Sequence, residues 1–234
     1  IWLASFPRSG NTFLRNILYE GYGQSSSTYH WESDYPVDDD FDTYPVVKTH
    51  LLPSDLERQG FSSDIPAVCL VRDGRDVMCS IAHHRTDLVA PGSDYYANMR
   101  EAIIADRGSF FGGWSINVEA WLARADLVIR FEDLIADPIT QAERLRQILD
   151  LPPGHPGRLP SFETLKFGVP EYGAGKHHNL PEHEKRERAQ KFFRRGMAGA
   201  WREEMPKDLQ ELFWSYHGET MARLGYGREG EITP

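Results

Sequence analysis

The sequence predicts an α/β fold, a single domain over residues 1–234 built on a central parallel β-sheet flanked by helices. Three observations predict it. Short β-branched apolar runs alternate with helical patterns, the chain order that a parallel sheet with crossover helices requires. The 234 residues, 40% of them hydrophobic, are enough to bury one substantial core. At about 150 residues per domain the length allows one or two domains, and no Gly/Ser-rich or Pro-rich linker divides the sequence.

The elements follow in order. Ile1-Trp2-Leu3-Ala4-Ser5-Phe6 is an apolar run that stops at Pro7-Arg8-Ser9-Gly10 and gives way to the helical pattern Thr12 to Leu18. That reads as strand, tight turn, helix. Pro45 to Thr49 and Ala67 to Val71 are predicted as the second and third buried strands, and Leu127 to Phe131 as the fourth. Helical patterns occupy Asp76 to His84, Tyr95 to Ala105, Trp114 to Ala123 and Gln141 to Leu149. After Leu151-Pro152-Pro153-Gly154 the strands run out. Helices are predicted near Phe162 to Phe167, Glu182 to Lys191 and Lys207 to Leu224, the last with Pro206 at its first position. No internal repeat is present, and the acidic cluster Asp38-Asp39-Asp40 with Asp42 reads as a solvated loop.

Charge and cysteine content exclude several functions. With 26 Lys plus Arg against 35 Asp plus Glu, the formal net charge of -9 argues against a general nucleic-acid or anionic-membrane binder. An anionic ligand therefore needs a local basic pocket. Cys69 and Cys79 stand ten apart among apolar residues, which suits reduced core positions rather than a disulfide framework or a zinc site. The pairs His83-His84 and His177-His178 lack carboxylate or thiolate partners at ligand spacing, so no metal is expected. No apolar run approaches the roughly 18 residues that span a bilayer. The chain is expected to be soluble and cytoplasmic, although it begins at Ile1 rather than Met, which leaves room for an upstream targeting or anchoring segment.

Four segments carry chemistry. Ser5-Phe6-Pro7-Arg8-Ser9-Gly10-Asn11-Thr12 lies between strand and helix, where backbone N–H groups and the helix dipole favour an anion. It is not a Walker A motif, because the first glycine and the Lys-Ser/Thr pair are missing, so an ATP-magnesium site is not implied. Lys48-Thr49-His50 ends the second predicted strand, and ligands of open parallel sheets lie outside the carboxyl ends of strands. There His50 has the neutral-range pKa to take a proton from an acceptor hydroxyl; a strand-end histidine bonded to backbone is the plainer alternative. Arg72-Asp73-Gly74-Arg75-Asp76 follows the third predicted strand, with Ser80 about two helical turns on. Arg72 and Ser80 together suit a phosphate monoester, unless these charges only cap a helix and pair among themselves. Arg194-Arg195-Gly196-Met197-Ala198-Gly199-Ala200-Trp201 offers adjacent guanidiniums and two glycines, either a loop closing over phosphate or a basic surface loop.

In order and approximate spacing, the four segments resemble the sulfotransferases that use 3′-phosphoadenosine 5′-phosphosulfate (PAPS). Residues 5–13 look like the family's 5′-phosphosulfate loop, Lys48-Thr49-His50-Leu51 like its catalytic segment, residues 71–80 like its 3′-phosphate motif, and residues 194–201 like its late Arg-Lys-Gly-x-x-Gly loop. The resemblance covers most of the chain and implies a fold of the P-loop nucleotide-binding type. It implies that Arg8, Ser9, Gly10, Asn11 and Thr12 hold the 5′-phosphosulfate, and that Arg72, Ser80, Arg194, Arg195 and Gly196 hold the 3′-phosphate. Phe13, Phe131 and Phe162 fall where the family places aromatic residues around adenine. The implied reaction is in-line sulfuryl transfer to a hydroxyl or amine, with His50 as general base and Arg8 and Lys48 stabilising the leaving adenosine 3′,5′-bisphosphate (PAP), without a metal.

Two departures stand out. Arg8 replaces the lysine of cytosolic members, and a guanidinium stabilises a leaving phosphate by hydrogen bonds without giving up its proton. Arg202 to Glu211 does not reproduce the cytosolic dimer motif, so that dimer is not expected. The rival readings are a magnesium-dependent kinase-like phosphotransferase and a non-catalytic phosphoadenosine-binding module. The acceptor is expected to be a small molecule bearing a hydroxyl. Tyr29 to Tyr44, His83 to Trp114 and Gly168 to Asn179, which would line its pocket, permit an aromatic acceptor or a natural product without specifying one. The style of the motifs looks closer to that of bacterial members.

Overall fold

The computed structural model describes residues 1–29, 41–106, 110–175 and 180–233. The acidic cluster at 38–40, the His177-His178 pair and parts of all three expected acceptor segments lie outside the described residues.

Five parallel strands form the sheet: β1 (Trp2–Ser5), β2 (Ser26–Tyr29), β3 (Val46–Thr49), β4 (Ala67–Val71) and β5 (Leu127–Arg130), in the order β2-β3-β1-β4-β5. Side chains alternate across a strand, and here both faces are buried. Trp2 and Ala4 join Val47, Cys69 and Val71 on one face, beneath α3 (Gly74–His84), α4 (Tyr95–Ile104), α5 (Trp114–Leu122) and α11 (Lys207–Arg223). Ile1 and Leu3 join Val46, Val68, Leu70 and Ile129 on the other, beneath α1 (Asn11–Tyr22), α6 (Phe131–Ala136) and α7 (Pro138–Glu143). Completing the fold are α2 (Pro53–Arg58), α8 (Phe162–Phe167), α9 (Glu182–Phe192) and α10 (Trp201–Glu204). Among the described residues, no helix is long and apolar enough to cross a membrane. Cys69 and Cys79 are buried free thiols, and burial pushes both up to about 12.

The structure differs from the sequence reading in four places. β2 is an additional strand, so His50 and Arg72 follow the third and fourth strands rather than the second and third; its Ser-Ser-Thr-Tyr sequence sits at the sheet edge and lacks an apolar run. The helix expected over Gln141 to Leu149 starts earlier, at Pro138, because Asp137 caps it by accepting a hydrogen bond from the Thr140 amide at 3.0 Å. Arg144–Gln147 then continues as a 3₁₀ turn. Phe131 opens α6 rather than closing β5, and Pro206 takes the cap position before α11, with an extended ψ of 145°.

β1 lies between β3 and β4, so the chain leaves it first to one side and later to the other. Such a switch point opens a crevice at the carboxyl ends of the strands. Four of the predicted segments arrive there: the turn after Ser5, His50 after β3, Arg72 after β4 and Phe131 after β5.

Candidate active site

A cavity of about 850 Å³ occupies that crevice. Its lining includes Arg8, Gly10, Asn11, Thr12 and Phe13 from the first turn, Lys48 and His50 from the end of β3, and Arg72 and Ser80 from α3 and the loop before it. Phe131, Phe162, Arg194, Arg195 and Gly196 complete the predicted set; Ser9, the remaining member, is buried behind the turn.

The turn is shaped by its backbone. Arg8 and Gly10 both take positive φ, 69° and 105°, which folds the chain tightly into the N-terminus of α1. Asn11 steadies it by donating from Nδ2 to Ser5 Oγ at 2.9 Å. A Cβ on Gly10 would stand 2.4 Å from Phe131 Cδ2, so glycine is required both by conformation and by packing. Gly10→Ala is therefore expected to cost about 2 kcal/mol and to lower Tm by about 4 to 8 °C, with loss of anion binding at the turn. Thermal unfolding checks this, and an unchanged Tm would contradict it.

His50 is held from several sides. Its Nδ1 lies 2.7 Å from the Ser5 carbonyl oxygen, a contact that requires Nδ1 to carry the hydrogen; the neutral ring therefore keeps its lone pair on Nε2. Asn117 Nδ2 donates to the His50 carbonyl at 2.9 Å, Trp121 Nε1 donates to that of Leu51 at 2.9 Å, and the Phe111 ring packs 5.4 Å from the imidazole. The plainer expectation of a histidine bonded to backbone is thus met by one ring nitrogen, and that bond fixes the role of the other.

Cations crowd the centre. Arg8 donates from Nε to Ser80 Oγ at 3.1 Å and from Nη2 to the Phe192 carbonyl at 2.9 Å, with its guanidinium 4.1 Å from the Phe192 ring centroid. Ser80 is therefore coupled to Arg8 rather than to Arg72. Burial, then the charges of Arg72 and Arg194, bring Arg8 down to about 9; burial, then Arg15 and Arg8, bring Lys48 down to about 7. Arg72 stands 4.3 Å from the Phe131 ring centroid and donates to the carbonyls of Arg8 (3.3 Å) and Met197 (3.1 Å), joining the first turn to the late loop. Asp76, 3.9 Å from Arg72, secures that loop by accepting the amides of Gly199 (2.7 Å) and Trp201 (2.9 Å).

A sulfotransferase-domain family model matches residues 1–225. The chain belongs to the sulfotransferase family. Among its curated relatives, sulfotransferase 1E1 from Mus musculus is 21% identical over 255 residues, covering 94% of this chain and 82% of that protein. The Homo sapiens sulfotransferase 1E1 is 21% identical over 248 residues with the same coverage. Mouse sulfotransferase SULT7A1, solved in complex with PAP, superposes with a TM-score of 0.66 at 17% identity over 94% of this chain and 84% of its own. A retinol dehydratase solved with androsterone and inactive cofactor PAP gives 0.60 at 19% identity over 94% and 80%. At these identities the structural likeness shows the fold, and the family match makes this sulfotransferase an enzyme of the α/β, P-loop-like kind.

Two buried polar atoms of these segments lack a hydrogen-bond partner, Ser9 Oγ behind the turn and Nε of the cavity-lining Arg72. Buried polar groups are ordinarily satisfied, so this sulfotransferase fits a ligand rich in acceptor oxygens. Arg194 and Arg195 are placed differently from the sequence expectation. Arg194 forms a two-point pair with Glu204, at 2.7 and 2.5 Å, and Arg195 pairs with Glu203 and Glu204 at 3.2 and 3.1 Å. Burial works to raise the Glu204 carboxyl, but Arg194 and Arg195 override it and leave it below its ordinary value. Sequence reasoning did not single out Glu204, whose pairing depends on the loop reversal at Gly196 and Gly199. Gly196 lies flat on Phe162, where a Cβ would be 2.3 Å from the ring, and Phe162 in turn tilts toward Phe13 at 5.9 Å. All three expected aromatic residues thus line the cavity.

Proposed function

We propose that the protein transfers a sulfuryl group from PAPS to the hydroxyl of a small-molecule acceptor and releases PAP. The observation that carries the reading is the convergence, on one cavity, of an anion-binding turn, an oriented histidine and a separate arginine cluster. The nucleotide supplies the activated sulfuryl group; the protein binds, orients and moves the proton. The turn from Arg8 to Thr12 and the N-terminus of α1 hold the 5′-phosphosulfate. Arg72 and Ser9 gain partners for their unsatisfied atoms. Arg194 and Arg195 turn from Glu204 and Glu203 toward the 3′-phosphate, with Ser80 and Gly196 beside it, and Phe13, Phe131 and Phe162 flank the base.

His50 Nε2 takes the acceptor proton as the acceptor oxygen bonds to sulfur and the bond from sulfur to the phosphate oxygen breaks. Arg8 and Lys48 stabilise the charge left on that phosphate. Local crowding of cations explains how a chain of net charge -9 recruits a polyanion. Incubation with radiolabelled PAPS and a panel of phenols, alcohols and amines tests the reading. Labelled product formed together with an equal amount of PAP is expected; PAPS left intact across the whole panel would count against it.

A further inference from the structure

The acceptor's chemistry is written at the β2 edge of the cavity, an inference that rests on the sulfuryl-transfer reading. Arg15 lies in α1, is only 7% exposed and lines the cavity. It donates from Nε to Ser26 Oγ at 2.7 Å, from Nη2 to the Ser26 carbonyl at 3.0 Å and from Nη1 to Thr28 Oγ1 at 3.2 Å. Its other face lies 3.8 Å from the Tyr172 ring centroid. Every one of these partners is neutral, and Nη1 and Nη2 each keep a further hydrogen. Thr28 pairs in register with Lys48, so both side chains emerge on the face covered by α1, and Lys48 is partly buried with no carboxylate within ion-pair distance among the described residues. Glu171 adds a weak favourable charge to Arg15 but forms no ion pair with it.

A buried guanidinium beside a partly buried ammonium, with no carboxylate paired to either among the described residues, is costly unless a ligand supplies an anion. The 5′-phosphosulfate does not account for Arg15. Across the sheet, Arg15 is tied to β2, Lys48 sits on β3 and Arg8 follows β1, while Arg72 and Phe131 follow β4 and β5. The proposed nucleotide occupies the β1, β4 and β5 side, which leaves Arg15 on the acceptor side, beyond Lys48. The only acid lining the cavity among the described residues is Asp76, whose oxygens are taken by loop amides at the nucleotide end. Tyr44 and Phe111 line the cavity, Phe111 beside His50.

We propose that the acceptor is a hydroxyaryl carboxylate whose carboxylate is received by Arg15 while its hydroxyl meets His50. A planar carboxylate matches the two remaining guanidinium hydrogens, and the aromatic walls match an aryl ring. Arg15 thus acts as a specificity-determining residue.

The test compares hydroxyphenyl carboxylates of increasing chain length with their methyl amides, using PAPS as donor. For the best acid, kcat/KM is expected to exceed that of its amide by about tenfold or more, equivalent to about 1.4 kcal/mol. Arg15→Gln is expected to shrink that preference to about twofold, chiefly through KM, with PAP affinity changed by less than about threefold. Arg15→Lys, which keeps the charge, should recover part of the preference, and thermal unfolding of both variants separates selectivity from loss of fold. Amides used as well as acids by the wild type, no turnover of any acid despite PAP binding, or equal losses of PAP and acid affinity in Arg15→Gln would each overturn the inference. Failure of the wild type to bind PAP would instead overturn the underlying reading.

Discussion

His50→Ala is expected to lower kcat by about 100-fold to 10,000-fold, the range for removal of a positioned general base, while PAP affinity stays within about threefold of wild type. The expectation follows from how the imidazole is held. Nδ1 is committed to the Ser5 carbonyl, and the carbonyls of His50 and Leu51 are fixed by Asn117 and Trp121, so the ring presents Nε2 in one orientation. Alanine removes that proton acceptor without touching Arg72 or the late loop. It also strips the Ser5 carbonyl of a buried hydrogen bond, so some loss of stability, of about 1 to 3 kcal/mol, accompanies the change. Single-turnover kinetics with saturating PAPS separates the two effects. A variant that folds and turns over at the wild-type rate would remove His50 from the mechanism.

Arg72→Ala is expected to weaken PAP binding by about 2 kcal/mol or more, roughly 30-fold, as loss of a charge-assisted contact does. Arg72 carries an unpartnered buried Nε, rests on Phe131 and bridges Arg8 to Met197. Because the bridge also organises the cavity, 5′-ADP serves as the control. If Arg72 reads the 3′-phosphate, PAP loses far more affinity than 5′-ADP; equal losses would reduce Arg72 to a structural strut, and unchanged PAP affinity would contradict the assigned site.

Much of this architecture was legible because buried parallel strands announce themselves. β1, β3, β4 and β5 are short apolar runs, and the charged or glycine-rich residues that follow them mark the carboxyl ends where a crevice forms. β2 was not legible, since an edge strand of Ser-Ser-Thr-Tyr carries little apolar signal. Its omission hid Arg15 as well. Within the pattern Phe13, Leu14, Ile17, Leu18, an arginine at 15 reads as the exposed face of an amphipathic helix, and β2 together with the Tyr172 ring covers it. Glu204 was hidden for another reason. It opposes Arg194 through a loop reversal at Gly196 and Gly199, both at positive φ, which local patterning does not encode. Arg8 lines the cavity, but its coupling to Ser80 across 72 residues is a tertiary fact.

The most direct test of the central claim is calorimetric titration of the wild-type protein with PAP and, separately, with 5′-ADP, both without magnesium, because it requires no knowledge of the acceptor. A 3′-phosphate received by Arg72, Arg194 and Arg195 predicts binding of PAP at least about 30-fold tighter than 5′-ADP, a difference of about 2 kcal/mol. Equal affinities, or binding that appears only when magnesium is added, would contradict a PAPS site and leave the arginine cluster without its ligand.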